Sequence, residues 1–210
     1  KVYKDEEVPA DLWEFTKPQW KNKTASGDPA AAGFALNWFS FASDARPKDP
    51  RSPHKPTGLG FKWMAEMYKN GHLLAGQIGN LTETIVSGRR PIVVQHWDQE
   101  IWLAIKQGAD LGWKYPIQGT IAQHSLIAIN SKSPHPYTTR LFANWLISKE
   151  GQTVLVKELG YNFVRKDMET SDFIKGRMPI DKCWILDIEK ITSEETRDFI
   201  SNVNSALRGK

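Results

Sequence analysis

Short apolar segments alternate with helical patterns between residues 80 and 120, and this alternation constrains the fold more than any other feature of the sequence. The segment "PIVVQ" at 91–95 is an almost continuous apolar run, and the helical pattern "DQEIWLAIKQG" follows it at 98–108. A further apolar run, "LGWKYPI" at 111–117, predicts another strand. Short, largely apolar strands are typical of a sheet that helices cover on both faces. The sequence therefore predicts an α/β fold with one mixed sheet, built mainly from residues 20 to 120 and flanked by helices.

Capping and helix-ending residues predict the bounds of the helices. Asn80 and Asp98 are each expected to cap the helix that begins there. Another helix is expected to begin near Gly27 or Asp28, because Pro29 suits the first turn of a helix. Three glycines are expected to end helices, namely Gly71, Gly88 and Gly160.

The C-terminal part of the chain contains two amphipathic patterns. After the turn "SPHP" at 133–136, apolar residues recur at helical spacing and form a wide stripe. A second pattern, "TSEETRDFISNVNSALRGK" at 192–210, predicts a closing helix with a buried apolar seam, and the run "SLIAIN" at 125–130 predicts a strand. The stripe consists of Tyr137, Leu141, Phe142, Trp145 and Leu146, and the seam of Phe199, Val203 and Leu207.

Composition excludes several classes of protein. The chain has 210 residues, 40% of them hydrophobic, which is enough for one or two cores. Its net charge is +4, but the 28 basic and 24 acidic residues are interspersed, whereas a nucleic-acid surface needs clustered cations. The single cysteine, Cys183, excludes an internal disulfide and a multi-cysteine zinc site. Neither nucleic acid nor a metal or other cofactor is an expected partner.

A hydrolase is the less favoured alternative. His96, Asp98, His124 and Ser125 supply the residue types that a hydrolase uses. However, neither a G-x-S-x-G turn nor a pair of metal ligands at helical spacing accompanies them. The sequence therefore predicts a protein without catalytic residues.

Three segments, in this order and at this spacing, resemble the type II periplasmic solute-binding proteins of ABC importers, in the branches that bind iron, thiamine, polyamines and phosphonates. They are "DLWEFTKPQWKNKTASGDPAAAG", "VSGRRPIVVQHWDQEIWLAIKQGADLGWKYPIQGT" and "IAINSKSPHPYTTRLFANWLISKEGQTVLVKELGYNFVRKD". The resemblance implies that residues 1–120 form the second lobe, with its cleft wall and hinge, and that 121–210 form the mostly helical back half of the first lobe. The front half of the first lobe would then be missing.

The resemblance also implies a function and a compartment. The protein would capture a small polar solute in a cleft between two lobes, without catalysis, and deliver it to an ABC permease in the membrane. It would be periplasmic or extracellular, either free or lipid-anchored. A ligand sensor or an interaction module on the same fold is the alternative. The apolar stripe at 137–146 is also expected to be covered, because each exposed side chain would cost ~1.5–3 kcal/mol. Either the C-terminal helices fold back on each other and on the second lobe, or two truncated chains form a homodimer, which is the favoured alternative.

Candidate solute contacts follow from both arguments. Open α/β sheets bind ligands outside the carboxyl ends of their strands, where "QHWDQ" at 95–99 lies. The small residues of "GDPAAAG" at 27–33 would let backbone N–H groups approach an anion, although an ordinary capped helix explains them equally well. The resemblance adds the hinge crossings near Gly119, and the absence of adjacent tyrosines argues against the iron mode. The predicted contacts are Asp28, Ala30, Ala31, His96, Trp97, Asp98, Gln118, Thr120 and Gln123, for a small anionic or neutral polar solute.

Overall fold

The computed structural model describes residues 2–30, 59–76, 78–117, 119–122, 125–168, 176–185 and 193–208. The helix expected after Asp28 lies mostly outside these ranges, as do Ala31, Gln118 and Gln123. The α-helices are α1 (Leu59–Lys69), α2 (Ile78–Val86), α3 (Asp98–Lys106), α4 (Pro136–Leu146), α5 (Lys149–Leu159) and α6 (Ser193–Arg208). The strands are β1 (Thr24–Gly27), β2 (Leu73–Ala75), β3 (Ile92–Val93), β4 (Ile121–Ala122) and β5 (Trp184–Ile185).

A three-stranded parallel sheet, in the order β2-β1-β3, organises the N-terminal part of the chain. Ala25 of β1 is aligned with Leu73 on one side and with Val93 on the other. Every residue of β1 is buried, so both faces of the central strand are covered, and α2 packs against all three strands. These features confirm the predicted α/β fold. Each described pairing is parallel, and β2 was not anticipated because the three-residue run "LLA" is too short to form a clear pattern.

The main core joins this sheet to helices from both ends of the chain. Trp63 and Met67 of α1 are almost completely buried, and the indole N–H of Trp63 donates to the carbonyl of Leu12 at 2.8 Å. Phe199 and Val203 of α6 lie in the same cluster, which confirms the predicted apolar seam. Helix α6 therefore packs on α1, although it lies C-terminal to the proposed boundary at residue 120. The division into two lobes stays a prediction.

Two strands expected from apolar runs are absent from the described structure. Residues 111–117 instead run beside the N-terminal segment, where the N–H of Ile117 donates to the carbonyl of Ala10 at 2.9 Å. Residues 125–130 have no regular secondary structure, and the strand pairing described in this region is a short one between β4 and β5. In both segments the apolar composition suited a strand, but the neighbouring strand that would make it one is missing from the described residues.

The predicted helix ends are largely correct and two of the starts are not. Gly71, Gly88 and Gly160 end α1, α2 and α5 with φ angles of 74°, 72° and 69°, a conformation that glycine adopts without strain. By contrast, α2 begins at Ile78, so Asn80 lies within its first turn instead of capping it. Asp98 is the first residue of α3, and the cap position belongs to Trp97, whose side chain makes no capping hydrogen bond.

The apolar stripe of α4 is exposed, which corrects the expectation that it would be buried. Tyr137, Leu141 and Phe142 are 82%, 70% and 56% exposed, and no residue of the helix is buried. Within the described chain it packs against α5. The rings of Phe142 and Trp145 stack on each other at 5.8 Å between centroids. A second chain covering this face stays a prediction.

None of the helices in the described part of the chain is both long enough and apolar enough to cross a membrane.

Candidate functional site

The strand order creates a topological switch point between β1 and β3. The chain leaves β1 towards β2 on one side and returns to form β3 on the other side. Parallel sheets leave a crevice at the carboxyl ends of the two strands where the winding reverses, and ligands bind there. Ala25 of β1 is aligned with Val93 of β3, so Gly27 and Gln95, each two residues further along, lie at the same edge of the sheet. The two segments singled out from the sequence, 27–30 and 95–98, therefore meet at one edge of the sheet.

The loop after β1 is closed by a local hydrogen bond. The carboxylate Oδ1 of Asp28 accepts from the N–H of Ala30 at 2.9 Å, and Pro29 between them is fully buried. The N–H of Ala30 is thus already bonded, and Asp28 places a carboxylate beside it. Both facts disfavour an anion at this position, which was one of the two alternatives that the sequence left open.

A buried histidine, which the sequence analysis did not single out, supports this loop. His72 Nδ1 lies 2.8 Å from Thr24 Oγ1, its Nε2 lies 2.8 Å from Ser26 Oγ, and Ser26 Oγ donates to the carbonyl of Gly27 at 2.9 Å. Burial, aided by the charge of Arg90, lowers the pKa of His72 from 6.5 to about 4, so the ring is neutral. Alternating polar side chains on a short strand, "TAS", were the only sequence signal for this network.

His96 is held by two internal hydrogen bonds. Its Nδ1 accepts from the backbone N–H of Trp97 at 2.8 Å, so the proton of the neutral ring lies on Nε2, which donates to Thr82 Oγ1 at 3.0 Å. Burial lowers the pKa of His96 from 6.5 to about 4. Because the ring is neutral and both nitrogens are engaged, His96 is not a cationic contact in this structure. It fixes the backbone at Trp97 instead.

Trp97 and Asp98 play different parts at the start of α3. The side chain of Trp97 is 37% exposed, so an aromatic surface is available beside the switch point. Asp98 Oδ2 lies 2.9 Å from Arg177 Nε, and the side chain of Arg177 is only 5% exposed. Arg177 also donates to the carbonyl of Gly160. Asp98 therefore ties the switch point to a distant part of the chain, and nothing in the sequence pattern around Arg177 signalled this.

Thr120 belongs to a different part of the structure. It is half-buried between Gly119, whose φ is 91°, and the start of β4. The turn is closed by the N–H of Gly119, which donates to the carbonyl of Pro116 at 2.9 Å. Among the hydrogen bonds of the described residues, none joins Thr120 to the loops at 27–30 or 95–98. Thr120 therefore stays a predicted contact.

The arrangement does not resemble a hydrolytic centre. In a Ser-His-Asp site, the carboxylate accepts from one imidazole nitrogen and the other nitrogen faces the nucleophile. Here both nitrogens of His96 are bonded to Thr82 and Trp97, while Asp98 pairs with Arg177. Within the described ranges, no three His, Cys, Asp or Glu side chains are grouped as a metal site.

An open groove of about 430 Å³ lies between α2 and α3. Of the residues that line it, only Thr82 contacts a predicted site residue, through its hydrogen bond to His96. Its lining includes no residue of the loops 27–30 and 95–98. It is lined by Thr82, Glu83, Val86, Ala104, Gln107, Gly108 and Ala109.

A family model described as bacterial extracellular solute-binding protein matches residues 2–179. The chain belongs to that family. Among solved structures, this solute-binding protein is similar to the substrate-binding protein of an ABC transporter from Agrobacterium tumefaciens, with a TM-score of 0.74 and 16% sequence identity. The match covers 99% of this chain and 62% of that chain. No curated protein matches the sequence.

The comparisons confirm the resemblance and the fold class. At 16% identity, the solved structure supports the fold alone, and this solute-binding protein spans only 62% of its length. The family is that of bacterial extracellular solute-binding proteins, which implies a periplasmic or extracellular location. The solute and the partners of this chain are treated next as proposals.

Proposed function

We propose that this solute-binding protein captures a small polar solute at the carboxyl ends of β1 and β3 and delivers it to the membrane permease of an ABC importer. The observation that supports this proposal most is the meeting of the loops 27–30 and 95–98 at a topological switch point. Family membership supplies the transport context. The protein acts outside the cytoplasm, either free or lipid-anchored, and performs no catalysis.

The residues at the switch point support binding in distinct ways. Trp97 offers a partly exposed ring, and aromatic side chains pack well on the apolar surface of a ligand. His96 and His72 stiffen the two loops from behind through their internal hydrogen bonds. Preorganised loops lose less conformational freedom on binding, which favours affinity.

The hinge-side residues complete the proposal. Gln118, Thr120 and Gln123 are close to Gly119 in the sequence, and we expect them to contact solute from the opposite side when the cleft closes. The positive φ of Gly119 supports a sharp change of chain direction there. Domain closure commonly uses such a turn, because a few residues absorb the rotation.

A thermal-shift screen with a titration tests the function. The purified chain is screened against sugars, polyols, amino acids, polyamines and inorganic anions. A solute at a hundred times its Kd stabilises the folded state by ~2.7 kcal/mol, which raises the unfolding temperature. Trp97→Ala should then lower affinity for that solute by about tenfold.

Trp113 provides the matched control, because it is 39% exposed and lies outside both loops. Trp113→Ala should retain wild-type affinity. Equal losses in the two variants would show that the solute does not bind beside Trp97. A wild-type chain that responds to no solute class would contradict the proposed function itself.

A further inference from the structure

Gln95 has a backbone conformation that is unfavourable for its residue type. Its φ is 62°, in the left-handed region, and Asn22 is the only other non-glycine residue of the described chain with a positive φ. Asparagine visits this region readily because its short side chain bonds the local backbone, whereas glutamine lacks that advantage. Strained residues persist where the surroundings hold them, and they concentrate at ligand-binding sites.

The side chain of Gln95 carries a second anomaly. Its Oε1 is buried and has no hydrogen-bond partner in the part of the chain that the structure describes. Buried side-chain acceptors are nearly always bonded, so an unsatisfied one requires an explanation, and a partner supplied by a bound molecule is one such explanation. Gln95 stands at the switch point, one position past Val94, whose N–H still bonds to β1 through the carbonyl of Ala25 at 2.8 Å.

We infer that Gln95 Oε1 accepts a hydrogen bond from the bound solute, and that the solute therefore presents a hydroxyl or amine donor to this loop. The inference rests on the proposed function and names the chemistry of the same site. A carbonyl oxygen that accepts without competing internal bonds selects for a donor and against a group that only accepts. A fully ionised oxyanion such as sulfate would face this oxygen with repulsion.

The charges around the switch point favour the same class of solute. Asp28 places a carboxylate in the neighbouring loop, and His96 is neutral because both its nitrogens serve internal bonds. The guanidinium of Arg177 is paired with Asp98 and bonded to the carbonyl of Gly160. None of these described groups offers an unpaired positive charge to an anion. A neutral polyol or a cationic amine matches the site better.

A first experiment, without solute, tests whether Gln95 Oε1 lacks a hydrogen-bond partner in the free protein. Gln95→Met keeps the length of the side chain and removes both polar atoms, so the unfolding midpoint in urea should match that of the wild type. Gln95→Gly relieves the left-handed backbone, so its midpoint should rise. A clear fall in either variant would show that the Gln95 side chain already stabilises the fold, and it would overturn the inference without touching the proposed function.

The binding experiment then tests the solute class, with glucose, putrescine and sulfate as the first probes. We expect glucose or putrescine to bind, and whichever binds distinguishes the hydroxyl from the ammonium donor. Gln95→Met should weaken that binding on the order of tenfold or more, because the bond to a buried acceptor is lost. Gln95→Glu should stay within about threefold of wild type or bind more tightly, because a carboxylate also accepts.

Gln107 gives the matched control for these titrations, since it is an exposed glutamine beyond the end of α3. Gln107→Met should bind like the wild type. Unchanged affinity in Gln95→Met, loss of binding in Gln95→Glu, or binding of sulfate alone would each overturn the inference and leave solute capture standing. Failure of the wild type to bind any solute of the wider screen would count against both.

Discussion

Strand β3 and helix α4 both follow clear apolar patterns in the sequence, but the sheet that contains β3 is covered and the apolar face of α4 is exposed. Strand β1 lies between β2 and β3, and helices cover the sheet. Every residue of β1 is therefore buried. Helix α4 buries none of its residues and exposes 70% of Leu141. The difference shows that an amphipathic pattern predicts an element and its apolar face. Whether that face is covered depends on partners that are distant in sequence or lie outside this chain.

Helix α3 connects the sheet region with a second region, which contains α4, its neighbour α5 and Arg177. Its N-terminal residue Asp98 pairs with Arg177, and Lys106 near its end pairs with Glu158 of α5 at 2.8 Å. Between them, the ring of Trp102 packs against Gly160. The switch point thus sits directly beside the contact between the regions.

The largest expected effect compares one leucine from each region. Leu81 of α2 is completely buried, so Leu81→Ala should lower the free energy of unfolding by about 2–5 kcal/mol. Leu141→Ala on α4 should change it by less than about 0.5 kcal/mol, because that side chain is already in water. Urea denaturation of both variants measures this. Equal losses would mean that something covers the α4 face in solution, and a dependence on protein concentration would identify a second chain.

The next effect is a dependence on pH that arises in the sheet region. The pKa of His72 is lowered to about 4 in the folded state, so the unfolded chain binds more protons between pH 6.5 and 4. The contribution of His72 to the free energy of unfolding is therefore fully present above pH 6.5 and is lost as the pH falls towards 4. For a shift of this size the loss is about 3 kcal/mol. His96 contributes in the same direction.

Denaturation at pH 7 and at pH 4.5 checks this prediction. His72→Gln should show a smaller difference between the two pH values than the wild type, with the remainder due to His96. A wild-type protein equally stable at both values would contradict the buried, neutral histidines.

A smaller effect is expected at the contact between the regions. Asp98→Asn leaves the buried guanidinium of Arg177 without its counter-charge and should destabilise by about 1–3 kcal/mol, since Asp98 itself is partly exposed. Glu158→Gln removes a pair on the surface and should be close to neutral. Thermal unfolding of both variants separates the two cases. A larger loss in Glu158→Gln would indicate that the surface pair, and not Arg177, holds the regions together.

The smallest effect isolates one steric contact. Gly88 and Gly160 have nearly the same φ, 72° and 69°, so Gly88→Ala should cost only the backbone strain of about 1 kcal/mol. A methyl group at Gly160 would also lie 2.8 Å from Cε3 of Trp102, whereas one at Gly88 meets nothing within 4 Å. Gly160→Ala should therefore be the less stable variant. Equal stabilities would argue that α5 does not pack on α3 as described.

The elements that could be predicted are those with local signals. Glycines placed the ends of α1, α2 and α5, and the alternation of strand and helix gave the α/β class. The segment at 95–99 was chosen from a general rule about the carboxyl ends of strands and the one at 27–33 from a predicted helix N-terminus, and both stay predicted solute contacts. Arg177 and His72 could not be found in this way, because their partners lie 79 and 48 residues away and no spacing rule connects them.

The errors have one common cause. The strands expected at 111–117 and 125–130 needed a neighbouring strand, and the stripe of α4 needed a covering surface. A sequence shows that a segment is apolar but not what it pairs with. Gln95 was not predicted as a solute contact, because neither its positive φ nor its unsatisfied side-chain oxygen can be read from the sequence.

Amide hydrogen exchange with and without the solute found in the screen tests the central claim most directly. The solute should slow exchange at residues 27–30 and 94–98, because the loops at the switch point bind it and are ordered by it. Peptides from α4 should exchange at the same rate in both samples. Protection confined to α4, or to the groove between α2 and α3, would contradict a solute site at the carboxyl ends of β1 and β3.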